Sequence, residues 1–304
     1  MFETTILPDN TLFEKVNCDF CNSDDYEIWD TARSNTICRC KKCGLIFTNP
    51  RIKSIKEKDN IIYTENYFQQ KSRMTEDMIN ARKKTYQNEI KVLTNYVSSG
   101  RILDVGCGMG IFLDCFGNEW QKYGCDISSY ALDIARSKGI IAYQGEFEYI
   151  NFENNFFDVV YFRASLHHTY SPKKCLEKAY KILKPNGIIA ICMSNNCGGI
   201  CGRLFKGHVK SYEQGHNYLF STSILKSYLK QKGLKILNVN YPYWGTGYES
   251  YRDFINIFLL YAKYIYFRFS SKLKAPENYD FSSPTFYGNY INIYSKKEVF
   301  PENQ

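Results

Sequence analysis

The chain has 304 residues, 44% hydrophobic and 23% charged, which excludes collagen, a long coiled coil and wholesale disorder and leaves room for one sizeable core plus a small satellite domain. With 26 Tyr, 21 Phe and a mean hydropathy of −0.40, its aromatics have pockets and surfaces to line as well as a core. The formal charge of +8 is uneven: residues 201–235 hold seven Lys or Arg and only Glu213 as an acid, which suits an anionic acceptor or partner. The start, MFETTILPDNTLFEKVNC, has no basic stretch followed by an apolar one, so the expectation is a cytoplasmic protein, with a membrane-peripheral placement as the alternative.

Residues 1–50 are rich in cysteine. Twelve cysteines in a chain without a visible export signal point away from a disulfide framework, and five of them fall between Cys18 and Cys43. Cys18-x2-Cys21 and Cys40-x2-Cys43, with 18 residues between the pairs, have the spacing of a zinc ribbon, in which two tight turns each offer two thiolates. Pairing Cys38 with Cys43 would leave four residues between them, so Cys38 is the spare. Four thiolates close a tetrahedral ion, so the expected Zn2+ is structural.

Asn49-Pro50 closes this leader, and residues 51–98 read as a Lys-rich linker followed by a helix in which Tyr86, Ile90, Leu93 and Val97 step along one face. From 99 to 240 short apolar runs alternate with helical patterns. RILDVGC, KYGCDI and IIAYQG read as strands and FLDCFGNEWQ and SYALDIARSKG as helices. Further on, FDVVYF and GIIAICM are strands buried on both faces, and LEKAYKILKPNG is a helix stopped by Pro185 and Gly187. A helix from Ser221 to Lys232 and a strand from Leu234 to Val239 follow. The alternation predicts an α/β, doubly wound, mostly parallel sheet. Residues 241–304 hold an aromatic helical insertion at about 250–272, read as a cover for the acceptor cleft or as homodimer packing, and a closing strand at Tyr290–Tyr294. Its apolar run, Phe254 to Phe267, is too short to span a bilayer.

Several chemistry-bearing residues sit at predicted strand ends. In LDVGCGMG, Gly106, Gly108 and Gly110 let backbone approach a ligand, whereas Ile111 stands where a dinucleotide fingerprint wants glycine, which disfavours a pyrophosphate cradle. Asp104 precedes the glycines, Asp126 ends the second strand, Glu146 follows the third, and Lys184-Pro185-Asn186-Gly187 comes later. His167 and His168 follow the fourth strand in FRASLHHTY, where open α/β sheets bind ligands, and His216 lies in EQGHNYLFS; His208 has less to support it. Arg203, Lys206 and Lys210 could receive a phosphate or carboxylate.

In combination, residues 101–196 resemble class I S-adenosylmethionine-dependent methyltransferases, whose sheet is Rossmann-like and seven-stranded. The resemblance implies that Asp104, Gly106, Cys107, Gly108 and Gly110 approach the methionine part of the donor, S-adenosyl-L-methionine. It implies too that Asp126, with Ile127, holds the ribose hydroxyls, and that Glu146, with Phe147, meets the adenine. Two departures stand out: family members usually have Asp at 146 and a second Gly at 186, here Asn186. CKKCGLIFTNPR followed by YTENYF is similar to the zinc-binding leader of bacterial methyltransferases of sugar and cell-surface glycan pathways, which would let Tyr67 fold over the donor.

The favoured reading is O-methylation of a small-molecule or glycan acceptor, anionic or sugar-linked, with His216 ahead of His168 and His167 as the base. Ala164-Ser165-Leu166-His167 lacks the Asn/Asp-Pro-Pro-aromatic pocket of adenine amino-methyltransferases. The alternatives are an RNA or protein methyltransferase that binds through the ribbon and residues 201–235, and a non-catalytic ribbon module. Nucleic acid is the less favoured partner.

Overall fold

A computed structural model describes residues 12–32, 35–53, 75–209, 212, 215–246, 249–269 and 286–298; Tyr67 and Lys210 lie outside the described residues. Strands β1 (Phe13–Glu14), β2 (Tyr26–Ala32), β3 (Asn35–Cys40), β4 (Ile46–Thr48) and β5 (Arg51–Ile52) precede helix α1 (Glu76–Thr94). The elements that follow are β6 (Gly100–Val105), β7 (Trp120–Asp126), α2 (Ser129–Ser137), β8 (Ile141–Gln144), β9 (Phe157–Arg163), α3 (Pro172–Ile182) and β10 (Leu183–Asn195). The last are α4 (Ile200–Phe205), β11 (Tyr218–Leu219), α5 (Thr222–Gln231), β12 (Leu234–Asn240), α6 (Arg252–Phe269) and β13 (Tyr290–Lys297).

The main sheet has seven strands in the order β12-β13-β10-β9-β6-β7-β8. Pairing is parallel from β10 through β8, and β13 runs antiparallel between β10 and β12. Side chains alternate between its faces. Leu103 and Val105 join one core and Ile102 the other, Val160 and Phe162 part from Val159 and Tyr161, and Ile189 and Ile191 part from Ile188 and Ala190. The helices on both faces begin at capping residues. Ser128, Ser171 and Ser221 each accept the backbone N–H three residues on, and Pro172 opens α3. Ile182 ends α3 three residues before Pro185, and Leu183 is already extended.

One expected helix is missing. FLDCFGNEWQ forms only a single 3-10 turn, Leu113–Cys115, because Trp120 and Gln121 already pair with Gly100 and Arg101 as the start of β7. Gly117-Asn118 leaves too little chain for a helix between turn and strand.

The cysteine-rich leader is not a free satellite. β11 pairs with β4 and completes a four-stranded sheet, β11-β4-β3-β2, so hydrogen bonds cross the division drawn between residues 1–50 and the core. One face of this small sheet continues the main core through Cys18, Cys40, Leu45 and Phe47. Its other face puts Ile37 and Ile46 against Phe205, Ile257 and Tyr264, which seats α6 on the leader. The outer side of α6 leaves Ile255, Phe258 and Leu259 exposed, and none of the described helices is long and apolar enough to cross a membrane.

Helix α1 is fastened to the sheet by charge. Arg163 at the end of β9 makes two hydrogen bonds to buried Glu89, at 3.0 and 3.1 Å, and lies 4.2 Å over the Tyr86 ring, while the Tyr161 hydroxyl also donates to Glu89. Removing one partner of such a pair leaves the other charge buried and unpaired, at a cost of about 3–5 kcal/mol. Glu89→Ala is therefore expected to lower unfolding stability by about that amount in a urea titration.

Candidate active site

The cysteine cluster forms from two matching turns. Asn22 N–H donates to Cys18 O and Gly44 N–H to Cys40 O, and each turn closes on a residue of positive φ, Asn22 at 57° and Gly44 at 79°, types that tolerate this region. The turns bring Cys18 Sγ to 3.4 Å from Cys43 Sγ and Cys21 Sγ to 3.5 Å from Cys40 Sγ, and all four sulfurs lie within 4.8 Å of one another. Thiolates on one zinc at 2.3 Å stand about 3.8 Å apart, so the set fits a tetrahedral ion with little movement. Within the Cys18–Cys43 pair the shared hydrogen bond raises the pKa of Cys18 and lowers that of Cys43. Cys38 stands outside this group, with its Sγ 3.9 Å from Asn49 O.

At the carboxyl ends of β6, β7 and β9 lies a cavity of about 300 Å3. Asp104, Gly106, Cys107, Gly108, Asp126, Ile127, Glu146 and Phe147 all line it. Gly110 does not: an added Cβ there would come within 2.4 Å of the Ile140 side chain and 3.1 Å of Ala135 Cβ, so it serves close packing of the loop on α2. Gly106, at φ +79°, passes so near Ser165 that a Cβ would meet Ser165 Cβ at 2.7 Å. None of the described residues of α6 lines this cavity, and the helix packs on the leader. Arg82 and Tyr86 of α1, with Arg163 and Thr169, line it without having been singled out in the sequence. Tyr86 had a signal in its helical stripe. Arg163 had none, since a strand-end arginine reads like any other.

The acids differ in environment. Asp126 Oδ2 accepts from Gly108 N–H at 2.9 Å and Oδ1 from Ser128 N–H at 3.0 Å, which fixes this carboxylate in the cavity wall. Burial raises the Glu146 pKa, and neighbouring Glu148 adds to the rise. Asp104 is 2% exposed, and its Oδ1 has no hydrogen-bond partner among the described residues. Burial pushes its carboxyl up to about 8, against the opposing pull of Arg163.

His167 and His168 come from the turn after β9, and His216 from the segment entering β11. Their rings stand 4.3, 4.4 and 4.5 Å apart, centroid to centroid, and His168 lines the cavity. In the sequence the three stand as rival bases, whereas the fold makes them one cluster. His208 is elsewhere, with its ring 5.6 Å from that of Tyr264. Arg203 and Lys206 donate to the carbonyls of Gly198 and Trp29, away from the cavity.

Comparison with known proteins agrees with this architecture. Residues 103–191 match the methyltransferase domain family. The chain is 29% identical over 152 residues to the Methanocaldococcus jannaschii protein MJ1123, covering 49% of this chain and 72% of that protein. Among solved structures, a candidate methyltransferase from Bacillus halodurans superposes with a TM-score of 0.52 at 19% identity, covering 70% of this chain and all (100%) of that one. Phosphoethanolamine N-methyltransferase 2 of Haemonchus contortus, solved with S-adenosyl-L-methionine, superposes at 0.50 and 18% identity, covering 84% of this chain and 63% of that one. The fold is the Rossmann-like methyltransferase fold, and residues 103–191 form a methyltransferase domain of the S-adenosylmethionine-dependent kind.

The cavity suits that donor. Its wall offers the buried Asp104 carboxylate oxygen that has no partner among the described residues, and bare backbone at Gly106. A cationic group beside Asp104 favours its ionised form, so binding below pH 8 must release the proton that burial holds there. Donor affinity is expected to rise with pH towards about 8 and to fall again once the donor's own ammonium deprotonates. Calorimetry in buffers of different ionisation enthalpy should record proton release of about one per donor at pH 7, and Asp104→Asn should abolish it.

Proposed function

We propose that the protein transfers the donor methyl group to a hydroxyl of a small, anionic or sugar-linked acceptor in glycan or polysaccharide synthesis, and that His216, with His168 and His167 against it, activates that hydroxyl. The observation that carries this reading is the contact between cavity and cluster: His168 lines the donor cavity and also touches the His216 ring. An oxygen held by these imidazoles stands next to where the methyl group would be presented.

On this reading Asp104 and the Gly106–Gly108 backbone hold the methionine end, Asp126 with Ile127 holds the ribose, and Glu146 with Phe147 holds the adenine. Methyl transfer is an in-line displacement, so these contacts serve mainly to align the carbon–sulfur bond with the incoming oxygen. The sugar pathway rests on the likeness of the leader and the residues after it. Cys18, Cys21, Cys40 and Cys43 hold a structural Zn2+, whose effect on activity is through position: just past the cluster, the Thr48 hydroxyl donates to His216 O at 2.9 Å.

Two outcomes test this. Activating a nucleophile is typically worth 10²-fold to 10⁴-fold, so His216→Asn should lower kcat by at least about 100-fold while donor affinity holds; near-normal turnover would remove His216 from the site. Wild type should retain a zinc ion that Cys40→Ser loses together with thermal stability, as read by metal analysis and a melting curve.

A further inference from the structure

We propose that His167, His168 and His216 form a second metal site: a three-imidazole site for a divalent transition-metal ion, with Zn2+ as the reference case, whose remaining coordination position takes the acceptor oxygen beside the donor cavity.

A general base needs one imidazole and one group to orient it. Here three rings converge, with one ring nitrogen of each within 4.8 Å of those of the other two, in a setting where His167 is only 3% exposed. Each Nδ1 also has its own bracing neighbour. That of His167 is 3.4 Å from Ser194 Oγ, that of His168 is 3.3 Å from Gly215 O, and that of His216 is 2.8 Å from the Asn195 amide. In metal-ligating histidines an outer-shell partner of this kind fixes one ring nitrogen by a hydrogen bond and leaves the other to bind the ion. For His216 it requires the Asn195 amide to present its oxygen to Nδ1–H, a half-turn of the side-chain amide.

The ligand set names the class of ion. Imidazole suits zinc, iron, nickel and copper, whereas magnesium and calcium want oxygen. Zinc takes imidazole nitrogens at about 2.0–2.1 Å, which sets them roughly 3.4 Å apart, so small side-chain rotations would close the cluster on an ion. The cysteine site fills all four positions, but three histidines leave one open, and His168 places it beside the cavity.

The consequence for chemistry rests on the O-methylation reading, though the metal site itself does not. Bound to the ion, the acceptor hydroxyl loses its proton to water. The resulting alkoxide oxygen bonds to the donor's methyl carbon as the carbon–sulfur bond breaks and its electron pair stays on sulfur, which yields a methyl ether and S-adenosylhomocysteine.

The test uses the full-length protein. After incubation with Zn2+ and removal of excess metal, plasma mass spectrometry should find two ions per chain, one lost in Cys40→Ser and the other in His168→Asn/His216→Asn. Titration with Co2+ should show a thiolate charge-transfer band that only Cys40→Ser removes and a visible band that only the histidine variant removes, with affinity at that second site falling by at least about 100-fold. A wild type that holds one ion per chain, with thiolate bands alone, overturns the proposal, and this outcome needs no variant to fold. So does a second ion that survives in the double histidine variant at an unchanged melting temperature. Donor binding measured calorimetrically on the same samples reads the methyltransferase reading separately: a missing donor signal counts against that reading and leaves the metal count to decide the second site.

Discussion

The pairing of β11 with β4 is the constraint on which the rest of the site depends. Only two residue pairs, Tyr218 with Phe47 and Leu219 with Ile46, make up this ladder, but it joins segments about 170 positions apart and brings His216 to the core. Asn217 extends the seam: its N–H donates to His167 O, its amide donates to His168 O and Thr169 O, and its own carbonyl accepts from Thr48 N–H. A buried strand needs its backbone groups paired, and at this seam the partners come from the leader on one side and the histidine turn on the other. The leader is held from further points as well. Asp19 accepts from Ser171 Oγ and from Lys173 N–H at the start of α3, where a carboxylate meets the positive end of the helix. Arg51 donates to Tyr170 O and to the Tyr218 hydroxyl, and Phe20 stacks on Tyr228 with ring centroids 4.1 Å apart. The geometry of the leader and that of the histidine turn are therefore tied to each other.

The donor side follows a different physical logic, in which a satisfied ion pair leaves a neighbouring buried acid without a partner. Glu89 satisfies Arg163 with two hydrogen bonds, so Arg163 does not bond to Asp104, and the latter stays deeply buried with an oxygen to spare. Burial then favours the protonated acid until a cation arrives. Backbone geometry supports the same corner. Ala164, at φ +52°, turns the chain immediately after Arg163, and Ser165 crosses Gly106 so closely that no side chain fits there. A left-handed alanine costs on the order of 1 kcal/mol, which surrounding contacts such as Ala164 N–H to Cys192 O offset.

The sequence by itself determined the elements whose reasons are local. The apolar strand runs, the two CxxC turns and the stop at Pro185 each depend on residues a few positions apart, and so the sheet, most of its helices and the cysteine set could be read directly. The helix expected over FLDCFGNEWQ failed because Trp120 is claimed by pairing with Gly100, a contact that no local pattern records. Tertiary structure alone decided the rest. It packed Gly110 against Ile140, seated the aromatic helix on the leader, and gave the cavity Arg163 from an unremarked strand end. Most of all it gathered His167, His168 and His216 into one cluster. Forty-eight positions separate His168 from His216, and their meeting depends on a two-residue strand crossing to another sheet, a choice made by long-range hydrogen bonding that leaves no periodic trace in the chain.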